Sequence, residues 1–320
     1  MKRNITTIIL SLIIVGLPLT AWWQREQIFE TVRLRNYNPP ERVVKLADDT
    51  TMTASARRLF YVYKPSLEER AEFNKSCGNQ EQTIVLGCYV QHDGIYLYNI
   101  SDPRLHGVIE VTAAHEMLHA QYGRLSSKEK ARIDKLTLQV LSDLKDKRVL
   151  STIENYRRSN KDVVPNELHS ILATEVQNLP PELEQYYARY FSNRQAVVSL
   201  AHSYTGEFTR REQRVNEIDA KLKESKLQID NYDKSLARQE ASLNTQFKMM
   251  QRLKHSGQIE EYNNEVPMYN SSASEYNRDI NRQRALVDEY NSMVEERNTL
   301  ATEENQLIKA MDSRQAIDSQ

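Results

Sequence analysis

The sequence H-E-M-L-H places two histidines and a glutamate, His115, Glu116 and His119, in a spacing that suits a metal-dependent hydrolase. On an α-helix, residues four apart lie about 40° apart around the axis, so both imidazoles can bind one ion while the glutamate lies beside it. Zinc binds two such rings, a third protein ligand and a water molecule, whose pKa the ion lowers to about 7. We therefore expect His115 and His119 to bind Zn²⁺ and Glu116 to accept the water proton as general base. The competing interpretation is a packed helix with two structural histidines and an exposed glutamate.

The segment HEMLH at 115–119, followed by the helix NELHSILATE at 166–175, resembles gluzincin metallopeptidases of the small-domain kind. The resemblance covers about residues 59–203 and implies peptide-bond hydrolysis in a zincin-like domain. It also implies that the motif histidines and a downstream glutamate bind zinc, that the motif glutamate is the base, and that an edge strand of a sheet holds the peptide. The sequence departs from the usual ExxxD form of the second helix, because Ile171 stands four residues after Glu167.

Three side chains on this second helix compete for the third ligand position, namely Glu167, Glu175 and His169. Glu167 shares a helical stripe with the small Ser170, which would let the two helices approach closely. Its place near the helix start also resembles the ligand glutamate of gluzincins. Glu175 falls within an apolar stripe, where a carboxylate needs a partner such as a metal or a metal-bound histidine. We expect Glu167 to be the third ligand, with Glu175 as the alternative ligand or a partner of the ligands, and His169 as the remaining alternative.

Short runs of β-branched and aromatic residues precede the motif and predict a small sheet. They are LFYVY at 59–63, TIVLGCYV at 83–90 and IYLYNI at 95–100. Asp93-Gly94, between the last two runs, is a hairpin turn signal. Helices follow, with a capping-box start at Ser126 and a first-turn proline at Pro165. The expected fold class is therefore α+β, with a small sheet and its hairpin packed on a helical domain over residues 44–204.

The first 23 residues predict a membrane segment. Residues 5–23 form an uncharged apolar run of about the length that crosses a bilayer. Lys2 and Arg3 precede the run, so the positive-inside rule puts the N-terminus in the cytoplasm and the rest of the chain outside. The best match to an A-x-A cleavage site carries a bulky leucine, which favours a membrane anchor over a cleaved signal peptide. Residues 24–43 are polar and contain a Pro-Pro pair, and we expect them to form a tether.

The chain contains two cysteines, Cys77 and Cys88. Outside the cytoplasm, in an oxidising compartment, these residues are candidates for a disulfide that closes a short loop. By the loop-entropy model, such a bond would contribute roughly 2–3 kcal/mol to the free energy of unfolding. The alternative is a pair of free thiols.

The last part of the chain, residues 205–320, changes to a heptad pattern. Apolar residues recur at every seventh position in two runs: Val215, Leu222, Ile229, Leu236, Leu243 and Met250 in the first, and Val266, Ala273, Ile280, Val287, Val294, Ala301 and Ile308 in the second. A break near Ser256-Gly257 separates the two runs, and their similar length predicts an antiparallel coiled-coil hairpin. Such a hairpin offers a surface for a protein partner.

The charge balance argues against a nucleic acid as the partner of this chain. Lys and Arg total 43 against 44 Asp and Glu, for a formal net charge of -1, so no global basic field exists to hold nucleic acid. The leading hypothesis is a membrane-anchored zinc peptidase that acts on peptide or protein substrates outside the cytoplasm. Two alternatives stay open: a zinc-binding or coiled-coil interaction protein without catalytic activity, and a zinc hydrolase that acts on cell-wall peptides.

Overall fold

A computed structural model describes residues 25–78 and 84–314. The described chain is mostly helical, with a small three-stranded sheet and a long C-terminal helical hairpin, in agreement with the predicted sheet and hairpin. It divides into two compact units, the first containing the residues up to Glu207 together with those from Leu307 onward, and the second containing Phe208–Gln306. The boundary expected from the sequence was residue 204. The return of the last residues to the first unit has no signal in the heptad pattern.

The elements of the first unit are short until the hairpin begins. In chain order they are α1 (Arg25–Leu34), α2 (Glu41–Asp49), α3 (Ala54–Val62), β1 (Ser66–Glu68), α4 (Arg70–Cys77), β2 (Gly87–Val90), β3 (Gly94–Tyr98), a 3₁₀ turn (Pro103–Leu105), α5 (Val108–Arg124), α6 (Ser127–Asp143), α7 (Lys147–Ser159), α8 (Val164–Glu175) and α9 (Pro181–Tyr187). Two long helices follow, α10 (Arg194–His255) and α11 (Ile259–Met311). Two predicted starts are confirmed, because the Ser126 hydroxyl accepts a hydrogen bond from the Glu129 amide and Pro165 lies in the first turn of α8.

The sheet has the strand order β1-β3-β2, so that β2 lies at one edge. Strands β2 and β3 form the predicted antiparallel hairpin, in which Val90 pairs with Gly94. Strand β1 pairs in parallel with β3 on its other side. A disulfide between Cys77 and Cys88 joins the end of α4 to β2. The edge strand is therefore held by main-chain bonds on one side and by a covalent bond to a helix.

The run LFYVY at 59–63 was predicted to be a strand, and this prediction is wrong. Residues 59–62 end the helix α3, and Tyr63 is its C-cap. Ala56, Leu59 and Phe60 are buried against the core of the first unit. Their spacing of three and four residues is that of a helix face, and this tertiary packing outweighs the strand propensity of a short aromatic run.

Residues 25–43 also differ from the predicted tether. They contain α1 and the start of α2, and the side chains of Phe29 and Leu34 pack on the core. Arg33 anchors this helix, because its Nε donates a hydrogen bond to the carbonyl oxygen of Val62 at 3.0 Å. The predicted membrane segment at 5–23 lies outside the described residues. Among the helices that the structure describes, none is both long enough and apolar enough to cross a bilayer.

The end of α11 and the residues after it pack on the first unit. Leu307 is fully buried, and Ser313 is 2% exposed. The side-chain amide of Asn74 donates to the carbonyl oxygen of Ser313 at 2.8 Å, and the Ser313 hydroxyl donates to the carbonyl oxygen of Val85 at 2.5 Å. The segment 307–314 thus connects α4 to the residues that lead into β2.

In the second unit, α10 and α11 run antiparallel, as the heptads predict. Arg214 on α10 pairs with Glu296 on α11, with 2.7 Å between Nε and Oε1. Further along, Gln239 on α10 donates to Asp279 on α11 at 2.9 Å. The partner number falls as the α10 number rises, which is the pairing of antiparallel helices. Leu236 of the first heptad run is buried between the arms, with 8% of its surface exposed.

Candidate metal centre

The motif lies in α5, a helix enclosed by other elements of the first unit. Val111, Ala114 and Leu118 are buried on it, and α8 packs alongside. Ser170 of α8 is fully buried, and its Oγ lies 3.4 Å from Nδ1 of His119. The small serine therefore lets the two helices approach closely, in line with the sequence-based expectation. Its contact on Nδ1 leaves Nε2 of the same ring to face the carboxylate of Glu167.

Both oxygens of Glu167 face the two motif histidines. His115 Nε2 lies 3.4 Å from Glu167 Oε2, and His119 Nε2 lies 3.5 Å from Glu167 Oε1. Zinc binds imidazole nitrogen and carboxylate oxygen at about 2.0–2.2 Å, and tetrahedral geometry at those lengths separates the ligand atoms by about 3.3 Å. The observed separations are close to that value, so the three side chains fit the edges of a tetrahedral zinc site.

Glu116 lies beside the same cluster. One carboxylate oxygen of Glu116 and one ring nitrogen from each of His115 and His119 lie within 4.8 Å of one another, so these three side chains also form a group able to hold a metal. Glu167 fits the third ligand position better, since it contacts both Nε2 atoms. Glu116 follows His115 directly and is turned by about 100° around the helix axis. At 6% exposure it suits the position of a general base next to a metal-bound water.

The environment of Glu167 favours its charged form. Burial alone would raise the pKa of this carboxyl group, but the neighbouring His115 and His119 rings and a hydrogen bond from the Tyr156 side chain together make the net shift downward. Its Oε2 atom is buried and has no hydrogen bond of good geometry within the described residues. A carboxylate must be deprotonated to bind a metal, so this environment prepares Glu167 for a cation.

The other two sequence candidates have different partners. Glu175 pairs with Arg148, whose Nη1 lies 2.5 Å from Oε2. His169 is fully buried, its Nε2 lies 3.0 Å from the hydroxyl of Tyr186, and burial lowers its pKa to about 3. Glu175, the carboxylate in the apolar stripe, is therefore paired with Arg148, and the neutral imidazole of His169 packs in the core. Neither residue belongs to the cluster around His115.

A cleft of about 800 Å³ opens over the cluster. Its walls come from the end of α4, from β2, and from α5, α7, α8 and the start of α10. Besides the motif residues, the lining includes Cys77, Gly87, Cys88, Tyr89, Thr112, Tyr156, Asn166, Glu167, Glu175 and Tyr204. The edge strand β2 and the motif helix therefore face one shared space, which is large enough for several residues of an extended chain.

Gly87 in β2 is the point where the edge strand touches the motif helix. A Cβ atom at this position would lie 2.5 Å from Cγ2 of Thr112 and 3.0 Å from Cγ of Glu116. Any larger residue would push the strand away from the proposed base or displace the base itself. This role of Gly87 was not predicted from the sequence, although a glycine inside a β-branched run is a known signal of close backbone approach.

Two more residues of the cleft were not identified from the sequence. Tyr156 comes from α7 and bonds to Glu167 through its side chain. Asn166 precedes Glu167 and lines the cleft, and its Oδ1 is buried without a hydrogen bond among the described residues. Only the position of Asn166 next to a candidate ligand offered a sequence signal. The role of Tyr156 depends on the packing of α7 against α8.

Comparisons with known proteins assign no family to this chain. No family model, curated protein or solved structure matches it. The gluzincin resemblance therefore depends on the motif itself and on the geometry around it.

Proposed function

We propose that the chain is a zinc-dependent peptidase of the gluzincin type, with His115, His119 and Glu167 as ligands and Glu116 as general base. One observation carries this proposal. The two oxygens of Glu167 lie 3.4 and 3.5 Å from the Nε2 atoms of the two motif histidines, across from the helix that the motif predicts. A bound zinc ion supplies a water of lowered pKa and a Lewis acid for the substrate carbonyl.

The residues of this chain supply the remaining steps. Glu116 accepts the proton of the attacking water and delivers it to the leaving amine, and its burial strengthens that interaction. Ser170 orients the His119 ring through Nδ1, and Tyr156 orients the Glu167 carboxylate. Such contacts hold the ligands in place before the ion arrives, which reduces the reorganisation that binding requires.

The shape of the cleft supports a peptide or protein substrate. Strand β2 lies at the edge of the sheet and lines the same space as His115 and Glu116. An extended peptide can pair with the main chain of such an edge, which aligns a peptide bond without requiring a particular side chain. The cleft volume of about 800 Å³ suits several residues better than a single amino acid.

We place this activity outside the cytoplasm, on a single-pass anchor. The apolar run at 5–23 follows two positive residues, and this arrangement favours a cytoplasmic N-terminus. The disulfide between Cys77 and Cys88 supports the same location, since such bonds persist in oxidising compartments. In this arrangement the substrates are peptides or proteins close to the membrane.

The test is the metal content and hydrolytic activity of the full-length chain purified in detergent. We expect about one zinc per chain. Glu116→Gln should keep the zinc and the fold but lower casein hydrolysis by at least about 100-fold, because it spares the ligands and removes the base. The control is Glu110→Gln, one carboxylate earlier on the same helix, which should leave hydrolysis unchanged.

Each contrary outcome points to a defined alternative. A chain that holds no zinc after reconstitution rules out the metal centre. Zinc without hydrolysis of any peptide supports a non-catalytic binding protein, and hydrolysis of cell-wall peptides but not casein supports the other zinc hydrolase. An unchanged rate in Glu116→Gln contradicts the role assigned to that carboxylate.

A further inference from the structure

The charged side chains at the two ends of the second unit differ in whether they form ion pairs between α10 and α11. At one end, in residues 211–219 and 296–303, which we call the hairpin base, ion pairs join α10 to α11. They are Arg211 with Glu303 at 3.1 Å, Arg214 with Glu296 at 2.7 Å, and Arg297 with Asp219 at 2.5 Å. Around the turn, in residues 247–268, which we call the hairpin tip, the described structure contains no ion pair between the helices. The tip charges are therefore not used to hold the arms together.

The hairpin tip carries equal numbers of opposite charges on its two helices. The cations are Lys248, Arg252 and Lys254 at the end of α10, and the anions are Glu260, Glu261 and Glu265 at the start of α11. Within the described residues, none of these six side chains makes a hydrogen bond or an ion pair. Five of them are exposed and Glu265 is half-buried. The end of α10 is therefore basic and the start of α11 is acidic.

Bulky apolar side chains are also exposed at the hairpin tip. Phe247, Met249, Ile259 and Met268 are 48%, 39%, 53% and 54% exposed. In the rest of the second unit, Leu227 alone among the described large apolar residues is exposed to this degree. The rings of Phe247 and Tyr269 lie 6.3 Å apart, which brings the two helices together at this point. Several large apolar side chains exposed in one short segment, together with unpaired charges, favour an interaction surface.

We propose that the hairpin tip binds the tip of a second copy of this chain. A twofold interface must be complementary to itself, and a surface with a basic half and an acidic half meets that condition. The cations of α10 in one copy then face the anions of α11 in its partner, and the exposed apolar side chains are buried between them. An anionic membrane is a poorer partner, because three glutamates next to the cations repel it.

The test uses two complementary charge reversals in the full-length chain, one with K248E, R252E and K254E and the other with E260K, E261K and E265K. Molar mass is measured by sedimentation equilibrium with a correction for bound detergent. We expect the wild type to have twice the mass of one chain. Each reversed variant alone should have the mass of a single chain, because like charges then face each other. An equimolar mixture of the two variants should recover the double mass.

The control reverses three exposed lysines in the middle of α10, as K221E, K223E and K234E. It changes the net charge as much as the first variant and should keep the double mass. Circular dichroism melting of every variant checks that the hairpin is folded. A wild type that stays at single mass up to about 100 μM, a range in which interfaces with micromolar dissociation constants assemble, overturns the proposal. So does a double mass that survives both reversals, or a mixture that fails to associate. Association of the wild type only with vesicles of phosphatidylserine would replace the second copy with a membrane.

Discussion

The cleft of the first unit and the base of the hairpin both gather charged side chains, but the charges meet different neighbours. In the cleft, Glu167 is 13% exposed and faces two imidazoles, not an arginine or a lysine. At the base, Arg214 and Glu296 are exposed by 42% and 43% and face each other. A buried carboxylate is costly unless a cation joins it, whereas an exposed pair is already satisfied. The comparison indicates that the cleft is arranged for a ligand, whereas the charges at the hairpin base pair α10 with α11.

The largest effect is expected for Glu167→Ala. This change removes a proposed ligand and should weaken zinc binding by more than the roughly 10–100-fold that loss of a supporting contact costs. Glu175→Ala is the matched variant on the same helix. It should leave zinc affinity within about tenfold of wild type, because Glu175 pairs with Arg148. Competition with a chromophoric chelator measures both affinities, and the assignment is reversed if Glu175→Ala loses zinc while Glu167→Ala keeps it.

Gly87→Ala should lower peptide hydrolysis by up to about 100-fold while zinc stays bound. The new methyl group would lie 2.5 Å from Thr112 and 3.0 Å from Glu116, so either the edge strand or the base must move. Gly123→Ala is the control, since a Cβ atom there meets nothing within 4 Å and alanine favours a helix. Initial rates and zinc content are compared for both. Equal rates in the two variants would show that the strand does not position Glu116.

Arg194→Leu should destabilise the first unit by about 3–5 kcal/mol. Arg194 is 5% exposed, and its guanidinium donates to the carbonyl oxygens of Val176 and Gln177 at 2.7 and 2.8 Å and to Glu184 at 2.9 Å. These bonds satisfy the chain just after α8, the helix that carries Glu167. Urea unfolding measures the change in free energy. A loss below about 1 kcal/mol would show that these carbonyl groups find other donors.

The smallest effect is expected for Arg214→Ala in the hairpin base. Its pair with Glu296 is exposed on both sides, so water and salt replace most of the interaction. The urea midpoint should shift far less than in Arg194→Leu. At about 1 M NaCl the shift should disappear, because the Debye length is then about 3 Å. A shift as large as that of Arg194→Leu would remove the distinction between the two regions.

The features that could be predicted from the sequence are those that depend on interactions between residues close together along the chain. The position of His115, Glu116 and His119 on a helix follows from their spacing, and the helix starts at Ser126 and Pro165 follow from local capping. These features were therefore identified correctly. The helical hairpin was predictable because each of its two arms repeats the heptad pattern many times. The helix at residues 59–62 was missed because burial on the core, which is tertiary, overrides a short local preference.

The missed residues of the site share a different cause. Gly87 matters because a strand touches a helix that lies later in the chain, and Tyr156 because α7 packs against α8. Neither contact follows from spacing along one element. The choice between Glu167 and Glu175 had the same difficulty, since it depends on where Arg148 lies.

The docking of residues 307–314 on the first unit has a consequence for biosynthesis. Ser313 bonds to Val85 at the rim of the cleft, yet it is synthesised after the whole of Phe208–Gln306. At about 5–20 residues per second, that stretch takes a ribosome about 5–20 s. During this interval α4 and β2 are already made, but the rim lacks the bonds from Ser313. The cleft of a newly made chain is therefore completed last, which would delay the proposed hydrolysis until the hairpin has left the ribosome.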